Sequence, residues 1–221
     1  MQPRSKSEPY TLLEYQSSEP RVFGVEVRSH EGTGLHATLS ALRWLGMSKP
    51  FARELTFVVV TLSARTGPGQ IRQIAGCASQ EGLADKLCVV VPATAQTLHQ
   101  TVCELGKCGV RALLGGVGAS SRFSDLTEHV LDGVVIEPSL LSRAAGDPYA
   151  ASILDAIISL AENLGLKSFA NECATETEYD AATVAGISYV AFARPSQERG
   201  RQVLSRLQQL PRTAERRQVT R

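Results

Sequence analysis

Several absences in this chain of 221 residues exclude whole classes of protein. There is no excess of charge of either sign: the formal net charge is +1, which argues no strong preference for any class of partner. No apolar run approaches the ~20 residues needed to span a bilayer. The N-terminal stretch MQPRSKSEPY lacks the apolar centre of a signal peptide. Together these two absences predict a cytoplasmic protein. There is no Cys-x-x-Cys pair, and the cysteines Cys77, Cys88, Cys103, Cys108 and Cys173 are odd in number. That usage fits reduced, mostly buried thiols better than a disulfide framework or a zinc site. Cys103 and Cys108 fall in a helical pattern beside core positions, so a metal clip there is not favoured. His36, His99 and His129 are scattered without ligand spacing and read as surface residues. No internal repeat or low-complexity segment is present. Gly115-Gly116-Val117-Gly118 follows a strand, but it lacks the spacing and the downstream acid of a dinucleotide fingerprint; a tight glycine turn is the default.

What is present is a run of alternating strand and helix signals. Residues 1–9 are polar and predicted to be disordered. Leu12–Gln16 and Val22–Ser29 read as two strands joined by the turn-rich Ser17-Ser18-Glu19-Pro20, short enough for a hairpin. Leu35–Gly46 follows as a short helix. Leu55–Ser63 is a buried strand, ended by Gly67-Pro68-Gly69. A helix from about Gln70 to Gly82 leads to a strand at Leu87–Val91, and another from about Ala95 to Cys108 to one at Val110–Gly115. A weaker helical pattern covers Phe123–Leu131.

The clearest unit is Asp132 to Thr175. Gly133–Ile136 is a short uninterrupted apolar run, as in a strand buried on both faces. After a polar turn, Asp147 and Pro148 supply an N-cap and a pre-set first helical position. Ile153, Leu154, Ile157, Ile158, Leu160, Ala161 and Leu164 recur on one helix side, Gly165 stops it, and Ser168–Asn171 is the next strand. A helix over Glu176–Ala185 and a strand over Tyr189–Arg194 complete the series. Strands alternating with helices in this way predict an α/β architecture, either a parallel barrel or a doubly wound sheet. Periodicity does not choose between them.

A resemblance does. YQ at 15–16, GVEVRSH at 24–30, VTLSA at 60–64, the glycine turn after Val110–Leu114, DGVVIE at 132–137, LAENLGLKSFANECATETE from Leu160, and FARP at 192–195 occur in one order. Order and spacing resemble the EAL domain of bacterial cyclic di-GMP phosphodiesterases over residues 10–195. The resemblance implies a TIM-like (β/α)8 barrel whose first strand runs antiparallel. The segment between His30 and Leu55 is shorter than the family's, which predicts a helical wall that is thin or incomplete and open to a partner. Residues 196–221 are expected to form a final helix, with Val203, Leu207 and Leu210 against the body, and a basic tail whose default is a solvated face.

The resemblance also implies two divalent cations at the strand ends, and such a pair needs several carboxylates around it. Here the departure is broad. Glu26 matches the name-giving glutamate. Other family ligand positions fall on Thr61, Val90, Gly115, Gly116, Asn171 and Ala174, and the lysine position on Val135. His30 stands in place of a nucleotide-contacting arginine, and histidine does not reproduce the bidentate fork onto phosphate. Glu137 keeps the charge of an aspartate position without its lysine. Glu172 is one residue past a lost ligand, and on a regular strand that offset turns a side chain to the opposite face. Glu26 itself is expected to be held by backbone N–H groups, His30 or Arg28.

The expected function is therefore a catalytically inactive EAL-like domain, a regulatory or protein-interaction module in bacterial cyclic di-GMP or motility-type signalling. No residue is assigned a catalytic, cofactor-binding or metal-binding role, Glu26 being a retained family position only, and no cofactor is expected. The expected partner is another protein; cyclic di-GMP and nucleic acid are not favoured. The alternatives are a receptor that binds cyclic di-GMP without hydrolysing it, and an active phosphodiesterase with a rebuilt site.

Overall fold

The structure, a computed structural model, describes residues 10–16, 24–29, 34–95 and 97–192, with a few side chains within these stretches undescribed. The expectations for residues 1–9, the Ser17–Pro20 turn, His30, Ala193–Arg194 and the tail at 196–221 lie outside the described residues, as do the side chains of Arg28 and Glu172.

Strand β1 (Tyr10–Gln16) pairs antiparallel with β2 (Gly24–Ser29), Leu13 facing Glu26 and Tyr15 facing Gly24. Helices α1 (Gly34–Met47) and α2 (Lys49–Glu54) lead to β3 (Phe57–Thr61), which lies parallel to β2. Then follow α3 (Pro68–Gln80), β4 (Leu87–Pro92), α4 (Leu98–Lys107), β5 (Arg111–Val117), α5 (Asp125–Glu128) and β6 (Gly133–Ile136). The last third holds α6 (Pro138–Ala144), α7 (Pro148–Asn163), β7 (Lys167–Cys173), α8 (Glu176–Val184) and β8 (Tyr189–Phe192). Each strand pairs with the next, and β8 returns to β1 antiparallel, Tyr15 opposite Ala191 and Gln16 opposite Val190. The result is a closed barrel.

Alternation along each strand sorts side chains into two cores. Val25, Val27, Val58, Val60, Val89, Val91, Leu114, Val134 and Ile136 point outward and pack under the helices. Phe57, Val59, Cys88, Val90, Leu113, Val135 and Phe169 point inward, with Tyr15, Tyr189 and Ala191. Side chains fill the interior of a barrel this narrow. Phe57 stands at the centre of its lower layer, with ring centres 5.4 Å from Tyr15, 5.6 Å from Phe169 and 4.8 Å from Tyr189. Tilted and edge-on contacts of this kind are favourable by about 0.5–1.5 kcal/mol each beyond area burial. Gly24 is glycine because the Phe57 ring occupies the place of its side chain: a Cβ there would come within 2.1 Å of the ring.

The helices follow local chemistry. The Asp147 carboxylate accepts from the Tyr149 N–H at 3.0 Å and Pro148 starts α7, which buries Ala150, Leu154, Ile157, Ile158 and Ala161. Thr175 and Glu178 close a reciprocal cap at the start of α8. Three differences from the sequence reading stand out. The polar turn expected after β6 is helix α6, begun by Pro138 and held by buried Leu140 and Leu141; its polar residues lie outward. The expected helix over Phe123–Leu131 is the single turn α5. The segment expected to leave the wall open holds α1 and a second helix, α2, and α1 buries Ala37, Thr38, Ala41, Leu42, Leu45 and Gly46 against β1, β2 and α3.

Because Phe169 touches Tyr15, Phe57 and Tyr189, Phe169→Ala should cost about 3–5 kcal/mol of stability in urea denaturation. A loss under about 1 kcal/mol would show that the inner layer is slack.

Candidate functional site

Above the aromatic layer, towards the end where β2–β8 finish, the barrel interior turns polar. On β7, Asn171 comes two residues after Phe169 and continues its inward face. On β2, Glu26 comes two after Gly24. Both are buried, at 3% exposure for Glu26 and 8% for Asn171. The Asn171 amide Nδ2 donates to Glu26 Oε1 at 3.4 Å, and the Tyr15 hydroxyl donates to Asn171 Oδ1 at 2.5 Å. Three residues up to 156 positions apart thus form one buried chain of polar contacts. A carboxylate taken out of water is costly unless such donors surround it. Sequence reasoning expected backbone N–H groups, His30 or Arg28 to hold Glu26; His30 and the Arg28 side chain lie outside the described residues, and the structure adds Asn171 as a donor. The resemblance places a family ligand position on this asparagine, but nothing in the sequence said that its amide faces Glu26.

The remaining positions of the site are apolar or turned elsewhere. Val90 and Val135 are buried in the inner core. A Cβ at Gly115 would come within 2.5 Å of Val90 Cγ1, so the valine has taken that space. Thr61 and Ala174 are exposed. The Glu137 carboxylate lies against Gly118, where a Cβ would meet its Oε2 at 2.2 Å. Among the described residues no three His, Cys, Asp or Glu side chains stand grouped to hold a metal ion.

Two irregularities shape this end of the barrel. The register of β5 shifts between Gly115 and Val117, and Gly116 takes φ +76°, a left-handed conformation that favours glycine. The register of β7 shifts between Ala170 and Cys173. Ala170 and Cys173 both belong to the outer core although they are three residues apart, so the strand carries one extra residue between them. Strict alternation, which would turn Glu172 to the opposite face from Asn171, does not hold there.

The thiols of the barrel are quiet. Burial pushes Cys88 up to about 11 and Cys173 up to about 12, so both remain protonated at neutral pH. His99 and His129, which the sequence reading kept apart, meet in a tilted contact with ring centres 5.4 Å apart.

The EAL domain family model matches residues 35–191. The chain belongs to the EAL domain family. The matched range starts after β2, so Glu26 lies outside it, although the resemblance in sequence was read from residue 10. Among solved structures, the EAL domain of Mycobacterium smegmatis DcpA superposes with a TM-score of 0.72 at 17% identity, covering 88% of this chain and 96% of that one. The PaMucR phosphodiesterase in its c-di-GMP complex gives 0.69 at 17%, covering 86% and 94%. The FimX EAL domain from Pseudomonas aeruginosa bound to c-di-GMP gives 0.63 at 17%, covering 83% and 88%. No curated protein matches the chain. Among the described residues no helix is long and apolar enough to cross a membrane.

Asn171→Asp tests the buried pair. It replaces a donor by a second carboxylate about 3.4 Å from Glu26, and one of the two acids must then titrate above its unfolded value of ~4. A raised carboxyl pKa favours the folded state at low pH and disfavours it as pH rises. The variant should match the parent chain near pH 4 and lose about 1–3 kcal/mol by pH 7. A deficit that does not change with pH would show that the two side chains are not electrostatically coupled.

Proposed function

We propose that this EAL domain is catalytically inactive and works as a regulatory module that engages another protein, in bacterial cyclic di-GMP or motility-type signalling in the cytoplasm. The observation that carries this reading is the Asn171–Glu26 contact. A cation bound at Glu26 would need lone pairs from the residue opposite, and the amide instead presents its N–H groups. The described residues do not fit a two-cation centre. Two such ions about 4 Å apart need several anionic oxygens; here one buried carboxylate faces an amide, with Val90 and Val135 beside it in the inner core. Val90 also occupies the volume that a side chain at 115 would use.

A second reading has its own support. The bulge at Gly116, which is exposed, leaves backbone at the mouth uncovered by a side chain, and the FimX EAL domain, which shares this fold, was crystallised with c-di-GMP. A receptor that binds the dinucleotide without hydrolysing it would use such backbone N–H groups in place of metal ions. Apolar filling at Val90 and Val135 weighs against it, since phosphate recognition there needs cations or converging donors.

Hydrolysis decides the first point. Purified protein should convert no cyclic di-GMP to the linear dinucleotide above a no-enzyme control, in Mg²⁺ or Mn²⁺. A linear product that disappears in Glu26→Ala or Glu172→Ala would show that the β7 bulge has rebuilt the centre.

Binding decides the second. A ligand at 100 times its Kd stabilises a fold by about 2.7 kcal/mol, which for a domain of this size moves Tm by several degrees. We expect no rise in Tm with micromolar cyclic di-GMP. A rise absent with GMP would establish the receptor instead.

A further inference from the structure

We propose that His99, Cys103 and His129 form a binding site for a thiophilic divalent cation of the zinc class, on the outer wall of the barrel between α4 and the chain that follows α5. His99 and Cys103 stand one helical turn apart on α4, both exposed, with His99 Nε2 and Cys103 Sγ 3.6 Å apart. Zinc–sulfur and zinc–nitrogen bonds of ~2.3 and ~2.05 Å at a tetrahedral angle place the two donors ~3.6 Å apart. The imidazole of His129 approaches His99 from a different element, its ring centre 5.4 Å away. Two imidazoles on one tetrahedral ion have ring centres ~5 Å apart. His129 Nδ1 is buried and has no hydrogen-bond partner among the described residues, although buried imidazole nitrogens are normally satisfied. Binding that fixes the ring orientation would bring this nitrogen, or its neighbour on the ring, a partner.

The neighbouring acid is committed elsewhere: Glu104 takes Arg72 at 2.6 Å and Lys107 at 3.6 Å. The three donors are not a preformed cage, so His129 closes the site by a change of rotamer, and water fills the fourth position. The consequence is mechanical. The connection between β5 and β6 holds one helical turn, flanked by exposed Phe123 and Val130, and a metal bridge would tie it to α4.

Cobalt(II) alone is a suitable probe, because a thiolate ligand gives it a near-ultraviolet charge-transfer band. Full-length protein stripped with a chelator should bind one Co²⁺ at micromolar concentration with that band, and Zn²⁺ should displace it. Cys103→Ser should abolish the band, Cys108→Ser should leave it, and His99→Ala and His129→Ala should each weaken binding at least tenfold. All four positions are exposed or half-exposed, and circular dichroism checks that each variant folds. Absence of the band, its survival in Cys103→Ser, or unchanged affinity in His129→Ala would overturn the proposal.

Discussion

The interior of a closed eight-stranded barrel is too narrow to hold a channel and too wide to leave empty, so whatever points inward must fill it. Here Tyr15, Phe57, Phe169 and Tyr189 meet in one layer, and the rest of the structure is arranged around them. Tyr15 comes from β1, which meets both neighbours antiparallel and closes the barrel. Its ring packs with the aromatic layer, but its hydroxyl extends beyond that layer and must find an acceptor. Asn171 supplies the carbonyl oxygen. An amide with its oxygen engaged turns its N–H groups the other way, and there Glu26 supplies the carboxylate. The polar mouth follows from the apolar floor: each buried polar group is placed by the need of the one below it.

The bulges work against this regularity, and both lie on strands where the resemblance places family ligand positions. A bulge re-aims a side chain without displacing the strand. At β5 the extra residue is Gly116, whose left-handed backbone suits glycine. At β7 it falls between Ala170 and Cys173, and Asn171 stays buried against Glu26. Bulges are over-represented at the rims of barrels, and both of these lie near the end where Val90 and Val135 fill the interior.

Much of the fold was legible. Asp147-Pro148 and Gly165 bracket α7, and the valine-rich runs at Phe57–Thr61 and Leu87–Pro92 are strands buried on both faces. What escaped was short. Helices α2 and α6 have six and seven residues, too few for a helical period to separate from a turn, and α6 is held by tertiary burial of two leucines. The site was legible only by position. The resemblance singled out the positions of Glu26 and Asn171; that the two touch could not be read, because 145 residues separate them. The same holds for His99 and His129, which only the parallel stacking of β5 and β6 beside α4 brings together. Alternation does not assign Glu172 to a face, because β7 carries an extra residue beside it. Such an insertion leaves no mark in a composition of ordinary strand formers.

The residues at the mouth depend on one another, which constrains any single change there. Val90 needs Gly115, since any side chain at 115 would collide with it. Asn171 needs Glu26, whose carboxylate receives its amide. Placing one acid alone there would bury a charge beside valine, or set it against Glu26, and in either case an unpaired buried charge is more costly than the packed arrangement it replaces. A single acid introduced at these positions is therefore opposed by the packing already present. Among the described residues, this end of the barrel is a packed and hydrogen-bonded cap on the aromatic layer beneath.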